Sequence, residues 1–244
     1  MKVPIVVVTR NSLPLTKKTI ASALAQDVPV EVLVVDNQST DGTRAWLLQK
    51  PVATIMAPEQ WSLSKCWNVA LKSLWAAGYD RALVLNNDVE VAPHTVRLLD
   101  ALGSPFATCV SVDTEEQFRV DAPTVEDLLA SQRPHPDYSA YFIRKSVTDR
   151  NVWFDEECFP AYVEDSIHHL TMHRAGIPAI CVSLPFLHHG ASTVKHCSER
   201  ERRIIQRGAG KNREMFRKRY GCLPGGPGYS ELFGHSEAPD HAMG

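Results

Sequence analysis

Residues 83–91 read LVLNNDVEV, an apolar β-forming run that meets two amides and a carboxylate, Asn86-Asn87-Asp88. A strand that is buried on both faces is normally apolar throughout, so a polar end indicates that the end opens onto a crevice where ligands bind. Mg²⁺ and Mn²⁺ take oxygen ligands from carboxylates and phosphates. Asp88 is therefore a candidate metal ligand beside a diphosphate, although a strand followed by an ordinary Asx-type turn would explain the same residues.

Strands and helices alternate around this stretch. Four apolar runs predict strands: Val3–Thr9, Val30–Val35, Val52–Ala57 and residues 83–88. The segments between them predict helices that begin near Leu15 or Thr16, cover Arg44–Gln49, and cover Leu63–Ala77, which Gly78 closes. This alternation is typical of a mostly parallel sheet flanked by helices on both faces, the α/β class.

The predicted strands end in polar residues at three places. These ends are Thr9-Arg10-Asn11, Asp36-Asn37 and Asn86-Asn87-Asp88. Ligands of parallel sheets lie at the carboxyl ends of the strands, so these residues are expected to meet at one site. A carboxylate such as Asp36 can accept hydrogen bonds from a nucleobase or a ribose there, or can merely shape the turn into the next helix.

The second half of the chain is less regular. Strands are predicted over Phe106–Val112, Tyr138–Ile143 and residues 177–187, and helices over Thr124–Ser131, with a Thr124 and Asp127 capping box, and over Glu164–Ala175. Beyond Pro224 the sequence is rich in turn-forming residues and predicts a loose tail.

Composition points to a soluble globular protein, because 44% of the 244 residues are hydrophobic and 22% are charged. Residues 195–219 hold ten Lys or Arg against three Glu, a basic segment that can face an anionic partner or solvent. The six cysteines have no metal-ligand spacing and are expected to be reduced and mostly buried. We find neither a membrane-spanning run nor signal-peptide character, and expect a cytoplasmic location.

Two short motifs carry further candidates for chemistry. Glu164-Asp165 could supply a general base, or could only place negative charge at a helix N-terminus. His188-His189 follows a strand and could offer an imidazole to a metal, or could be polar filling. The histidines of the helix that follows Glu164 are interpreted as packing or surface residues: His168, His169 and His173.

The order of these motifs is more specific than any one of them. Thr9-Arg10-Asn11, VVDNQSTDGT (34–43), LNNDVEV (85–91), FDEECFPAYVEDSIHHLTMHRAG (154–176) and FLHHGAST (186–193) together resemble glycosyltransferase family 2, whose members have the GT-A fold. The resemblance extends to about Gly221. It implies one GT-A domain over residues 1–221, made of a nucleotide-sugar-binding half (1–100), an acceptor half (101–194) and a basic helical segment (195–221). A Gly- and Pro-rich tail over residues 222–244 follows.

The resemblance also implies roles for individual residues. Nucleotide-sugar binding is implied for the strand-end residues and for an asparagine in KCWNVAL (65–71): Thr9, Arg10, Asn11, Asp36, Asn68, Asn86 and Asn87. A divalent cation, Mn²⁺ or Mg²⁺, is implied at Asp88 with His188 or His189. Asp165 would be the catalytic base, with Glu164 supporting it.

This sequence departs from the family pattern in three places. Asn86 replaces the first acid of the Asp-x-Asp-like motif, Ile167 replaces a further acid after Glu164-Asp165, and Trp61-Ser62-Leu63 replaces common glycines. The expected activity is inverting transfer of a sugar from a nucleoside-diphosphate donor to the hydroxyl of a glycan, a lipid-linked or another acceptor. Two alternatives remain: transfer to a modified nucleic-acid base, and a catalytically silent nucleotide-sugar or glycan-binding module.

Overall fold

The computed structural model describes residues 2–118, 121–132, 136–190, 197 and 199–234. Within these residues the strands are β1 (Val3–Thr9), β2 (Val30–Asp36), β3 (Ala53–Met56), β4 (Arg81–Asn86), β5 (Val89–Val91), β6 (Phe106–Val112), β7 (Ala140–Arg144) and β8 (Ala179–His188). The helices are α1 (Leu13–Leu24), α2 (Thr43–Leu47), α3 (Leu63–Ala76), α4 (Thr95–Ala101), α5 (Glu115–Phe118), α6 (Val125–Ala130), α7 (Lys145–Asp149), α8 (Glu164–Arg174) and α9 (Glu199–Tyr220). A 3₁₀ turn covers Ser230–Phe233.

The strands form one sheet in the order β3-β2-β1-β4-β7-β6-β8-β5. The three pairings among β3, β2, β1 and β4 are all parallel, as the alternating sequence pattern predicts. β7 runs antiparallel to both β4 and β6, while β6 and β8 are again parallel. The sheet is therefore mixed in its second half. An apolar run in the sequence does not indicate the direction of the strand that it forms.

The stretch LVLNNDVEV spans two strands, which corrects the expectation of one strand over residues 83–88. β4 ends at Asn86, and β5 pairs with β8 at the far edge of the sheet. Between them, the side-chain amide of Asn87 donates to the hydroxyls of Thr9 and Thr16, both at 3.2 Å. These buried hydrogen bonds hold the chain in a turn at the end of β1, which places Asp88 beside the sheet edge.

The core lies on both faces of the sheet, because successive strand residues point to opposite sides. Ile5 and Val7 of β1 belong to one apolar cluster, whereas Val6 and Val8 belong to the other. Trp67 of α3 fills the second cluster and is 1% exposed. The prediction of helices on both faces is thus confirmed.

Several local predictions are confirmed. The capping box of Thr124 and Asp127 opens α6, and Gly78 follows α3 with a φ of +90°. Four of the six cysteines are buried, as expected: Cys66, Cys109, Cys158 and Cys181. Helix α5, which the sequence analysis does not include, is a single turn of four residues.

The segment after α9 is not a loose tail as far as the structure describes it. Phe233 is 9% exposed, and its ring lies 4.7 Å from that of His169 and 5.2 Å from that of His173. Tyr229 and Leu232 pack on the cluster that includes Phe216 of α9. The expectation of a loose tail beyond Pro224 is therefore wrong as far as residue 234, because a few aromatic side chains suffice to attach a Gly- and Pro-rich segment. Residues 235–244 lie outside the described residues.

No helix in the described part of the chain combines the length and apolarity needed to cross a membrane.

Candidate active site

A cavity of about 680 Å³ opens where β1, β2 and β4 reach their carboxyl ends. The start of α8 and the first turns of α9 also line it. Its lining residues are Val8, Arg10, Asn11, Ser12, Asn37, Gln60, Trp61, Leu63, Trp67, Asn86, Asn87, Asp88, Pro136, Asp137, Tyr138, Ser139, Pro160, Ala161, Tyr162, Glu164, Asp165, His188, Cys197, Glu201, Ile204 and Ile205.

Asp88 and His188 meet at one side of this cavity, although a hundred residues separate them in the sequence. Nε2 of His188 lies 3.6 Å from Oδ2 of Asp88, and the contact with this carboxylate raises the pKa of the imidazole. The backbone N–H of His189 donates to the carbonyl of Asp88 at 2.9 Å, which fixes the turn after β4 to the end of β8.

This pair fits a divalent cation that a bound ligand also coordinates. A carboxylate and an imidazole are suitable donors, and both line the cavity. Among the described residues there is no group of three or more His, Cys, Asp or Glu side chains that could hold a metal alone. Any cation at Asp88 and His188 would therefore need further oxygens from substrate phosphate or water.

His189 faces away from the cavity. Its Nε2 lies 2.6 Å from Oε1 of Glu90, which is also 3.5 Å from Nζ of Lys18. The structure thus brings His188, not His189, to the side of Asp88.

Arg10 and Asn11 line the cavity at the end of β1. The Arg10 guanidinium donates to the carbonyl of Asn37 at 2.9 Å and to Oε1 of Glu201 at 3.1 Å. Asn11 has a φ of +60°, and its Oδ1 accepts from the N–H of Thr40 at 2.7 Å. These contacts join three parts of the chain around the cavity: the end of β1, the loop after β2, and α9.

Thr9 and Asp36 are fully buried next to Arg10 and Asn37 in the sequence, and they do not line the cavity. The Oγ1 atoms of Thr9 and Thr16 lie 2.8 Å apart in the buried interior. Oδ2 of Asp36 accepts from Nε of Arg44 at 2.9 Å, and its Oδ1 accepts from the N–H of Ser39 at 3.3 Å.

Asn37 lines the cavity at the end of β2, whereas its neighbour Asp36, the residue predicted from the sequence, does not. Its side chain donates to the carbonyl of Trp61 at 2.9 Å and accepts from the N–H of Trp61 at 2.8 Å. Both residues line the cavity. The position of Asn37, directly after the buried strand, was a signal for this role, whereas Trp61 had none beyond its departure from the family pattern.

Asn68 is buried away from the cavity and anchors the segment that leads to α8. Its Nδ2 donates to the carbonyl of Phe154 and to Oε1 of Glu156, both at 2.9 Å, and its Oδ1 accepts from the N–H of Phe154 at 3.1 Å. Asn68 therefore shapes the site indirectly.

Glu164 and Asp165 open α8 and face the cavity. They follow Tyr162 and Val163, whose φ angles are 77° and 80°. A positive φ is unusual for a residue as large as Tyr162 and rare for a β-branched residue such as Val163. The surrounding contacts must therefore hold these two residues in this conformation.

The two carboxyl groups differ in their surroundings. Glu164 is 5% exposed, and its Oε2 has no hydrogen-bond partner among the described residues. Burial, reinforced by the charge of Asp165, raises the pKa of Glu164 to about 8. Burial also raises the pKa of Asp165, but Ser166 opposes this by donating from its N–H to Oδ1 at 2.7 Å. Of the two carboxyl groups, Asp165 has a hydrogen bond that stabilises its carboxylate, whereas burial of Glu164 favours its protonated form.

Other lining residues escaped the sequence analysis. Tyr138 and Ser139 precede β7, Tyr162 precedes α8, and Ile204 and Ile205 belong to α9. Tyr162 and Ile204 are 43% and 41% exposed, so the cavity has an apolar rim. No local pattern marks these residues, because they meet only in the folded chain.

The histidines of α8 are packing residues, in agreement with the sequence analysis. The ring of His168 is fully buried and stacks on Phe154 at 4.0 Å. Its Nδ1 lies 3.1 Å from the hydroxyl of Tyr138, and burial lowers the pKa of this imidazole to about 3. His168 is therefore neutral and does not contribute charge to the site.

Solved structures share this fold at low sequence identity. S. aureus TarS 1–349 with UDP-GlcNAc aligns with a TM-score of 0.60 and 16% identity over 95% of this chain and 76% of that one. The mannosyltransferase PcManGT from Pyrobaculum calidifontis, with GDP-Man and Mn²⁺, aligns with a TM-score of 0.58 and 18% identity over 96% and 78%. GalNAc-T7 with UDP, GalNAc and Mn²⁺ aligns with a TM-score of 0.58 and 11% identity over 77% and 44%.

The chain spans 36% of the length of a longer TarS structure, which it matches with a TM-score of 0.57. No curated protein sequence matches it significantly. The fold is GT-A, a single α/β domain with a mostly parallel sheet, in agreement with the sequence analysis. The family model for glycosyl transferase family 2 matches residues 5–171, more than half of the chain. The chain therefore belongs to glycosyl transferase family 2.

Proposed function

We propose that this protein transfers a sugar from a nucleoside diphosphate to an acceptor hydroxyl with inversion at the anomeric carbon. One observation carries the proposal: Asp88, His188, Glu164 and Asp165 line the same cavity. A metal-assisted leaving group and a general base need such an arrangement, because they act at opposite ends of one displacement.

The donor side of the proposal rests on Asp88 and His188. TarS, PcManGT and GalNAc-T7 were solved with nucleotides or nucleotide sugars, the last two also with Mn²⁺. In this chain Asp88 and His188 would hold the cation. A bound cation would supply positive charge to the diphosphate oxygens as they leave. Arg10, Asn11 and Asn37 line the adjoining wall and are the proposed contacts to the nucleotide, together with Asn86 and Asn87.

In this proposal Thr9, Asp36 and Asn68 support the residues that line the cavity and do not contact the donor themselves. Each is buried and bonded to backbone or side chains that shape the cavity. Their predicted contribution to donor binding is therefore indirect.

In the proposed chemical step Asp165 is the general base. Its carboxylate takes the proton of the acceptor hydroxyl while that oxygen bonds to the anomeric carbon. The bond from that carbon to the diphosphate oxygen breaks, and the nucleoside diphosphate leaves with the electron pair. A raised pKa makes Asp165 a stronger proton acceptor than an ordinary aspartate, provided that it is ionised at working pH.

Glu164 supports this step in its protonated form. A second carboxylate beside Asp165 would repel it, whereas a neutral carboxyl group can donate a hydrogen bond to a substrate oxygen. Oε2 of Glu164, which has no hydrogen-bond partner in the described part of the chain, is available for that contact.

The apolar residues that line the cavity favour an acceptor with a ring-shaped or apolar group. Trp61, Tyr162, Ile204 and Ile205 contribute apolar surface to the cavity that Asp165 also lines. A glycan or a lipid-linked sugar fits this surface better than a highly charged acceptor. The cationic residues of α9 partly pair with local carboxylates, among them Arg203 with Glu199, so a nucleic-acid acceptor gains no support from them. A cytoplasmic location stays a prediction from the sequence.

A panel of nucleotide sugars tests the proposal, with Mn²⁺ or Mg²⁺ and with a chelator as control. We expect one donor to raise the melting temperature in the presence of the cation and to be hydrolysed or transferred. Donor binding without any turnover would favour the silent binding module, which the substitution of Asn86 for an acid suggests. Salt-dependent retention on DNA would favour the nucleic-acid alternative.

A further inference from the structure

Helix α9 packs against the loop that leads to Glu164 and Asp165, through three residues on one face. Gly208, Asn212 and Phe216 are spaced four residues apart, so they lie above one another on the helix, and all three are buried. The loop itself spans residues 158–163. Although α9 is the most basic part of the chain, this face is neutral.

Gly208 allows the closest approach. A Cβ atom at this position would lie 2.3 Å from Cδ of Pro160 and 2.6 Å from the carbonyl oxygen of Phe159. Any larger residue would therefore push the helix and the loop apart. The loop is fixed on its other side as well, because the carbonyl of Pro160 accepts from the N–H of Leu63 at 2.9 Å.

Asn212 binds the loop directly. Its Nδ2 donates to the carbonyl of Ala161 at 2.8 Å and to that of Tyr162 at 3.2 Å. Asn212 is 4% exposed, so these bonds are shielded from water. The two peptide groups that it binds flank Tyr162, and the second of them joins Tyr162 to Val163; both residues have a positive φ.

Phe216 completes the contact. It is fully buried in a cluster with Cys158, Val163 and Ile167, which join the loop to the first turns of α8. The side chain of Val163 is thus held from the helix side, while its backbone is held through the neighbouring carbonyl.

We propose that Asn212 is a positioning residue for transfer: it holds the strained Tyr162-Val163 turn so that Glu164 and Asp165 face the cavity. This inference rests on the proposed role of Asp165 as base. Asn212 does not line the cavity and therefore acts through the loop. Gly208 permits the approach that the two hydrogen bonds require.

Asn212→Leu tests the proposal, because leucine keeps nearly the same shape and cannot donate to the two carbonyls. We expect faster hydrogen exchange at the amides of residues 161–165. Displacing the reacting groups should lower kcat by roughly 10- to 100-fold. Donor Kd should be unchanged, since Asp88 and His188 lie on other elements.

A matched pair of glycine variants provides the control. Gly208→Ala should reproduce the loss of kcat. Gly210→Ala, on the same helix, should leave exchange and transfer unchanged, because its Cβ would meet no described atom within 4 Å. If Gly208→Ala fails to fold, Asn212→Leu still decides the question.

Unchanged exchange at residues 161–165 in Asn212→Leu would overturn the proposal. So would faster exchange with an unchanged kcat. Asp165→Asn, measured beside them, separates the two levels of inference. If it is inactive, such a failure belongs to the positioning role alone; if it is active, the proposed base is wrong.

Discussion

Nε2 of His188 lies 3.6 Å from Oδ2 of Asp88, at the point where the end of β8 meets the turn after β4. Two residues further along the chain, in β5, Glu90 makes the corresponding contact with His189, and neither of these residues lines the cavity. The chain therefore contains two neighbouring acid–imidazole pairs, of which one faces the cavity.

The two pairs allow a matched test of cation binding. We expect Asp88→Asn and His188→Gln to abolish or strongly weaken Mn²⁺-dependent donor binding, because each removes one of the two protein ligands proposed for the cation. His189→Gln should have little effect on that binding. Calorimetric titration of the donor with and without Mn²⁺ measures this. Full Mn²⁺-dependent affinity in Asp88→Asn would refute the metal assignment.

The raised pKa of Glu164 predicts a pH dependence of stability. The folded state holds this proton up to about pH 8, whereas the unfolded chain releases it near the ordinary value of 4.5. The folded state thus binds more protons in this interval, and the free energy of unfolding should fall by up to a few kcal/mol as the pH rises through it. Above about pH 8 the loss should be complete.

Glu164→Gln should remove that pH dependence, because glutamine stays neutral. Urea unfolding of both proteins at several pH values between 4.5 and about 8 measures the difference. Parallel stability curves for the two proteins would show that Glu164 titrates normally.

Phe233 connects the segment after α9 to α8, so its removal should destabilise the fold. Phe233→Ala should lower the free energy of unfolding by about 3 kcal/mol, because a nearly buried ring leaves a cavity beside His169 and His173. Leu223→Ala is the control: that side chain is 42% exposed and should contribute little. Equal stability of Phe233→Ala and the wild type would restore the loose-tail interpretation of the residues beyond Pro224.

The parallel half of the fold could be predicted because apolar periodicity and strand-end polarity act locally. The runs that form β1 and β2 are continuous and β-branched, and Thr124 with Asp127 is a complete capping signal. The direction of β7 could not be predicted, since strand direction depends on the path of the connection. The split of LVLNNDVEV depends on Asn87 finding Thr9 and Thr16, which is a tertiary event.

The candidate site divides in the same way. Asp88, Glu164 and Asp165 were predicted from short motifs, and all three line the cavity. Asp36 was predicted to contact the ligand, but the cavity is lined by Asn37 because Asp36 is turned inward toward Arg44. The residues of α9 that reach the cavity lie about forty positions after Asp165 and share no local motif with it.

The most direct test of the proposed function compares Asp165→Asn with Glu164→Gln in two assays, sugar transfer and donor binding. We predict that Asp165→Asn lowers transfer by roughly 10²-fold or more with donor binding intact, because it keeps the shape and removes the proton acceptor. Glu164→Gln should retain much of the transfer, since the protonated carboxyl group that it replaces is already neutral. An active Asp165→Asn beside an inactive Glu164→Gln would assign the base to Glu164, and full activity in both would contradict the inverting mechanism.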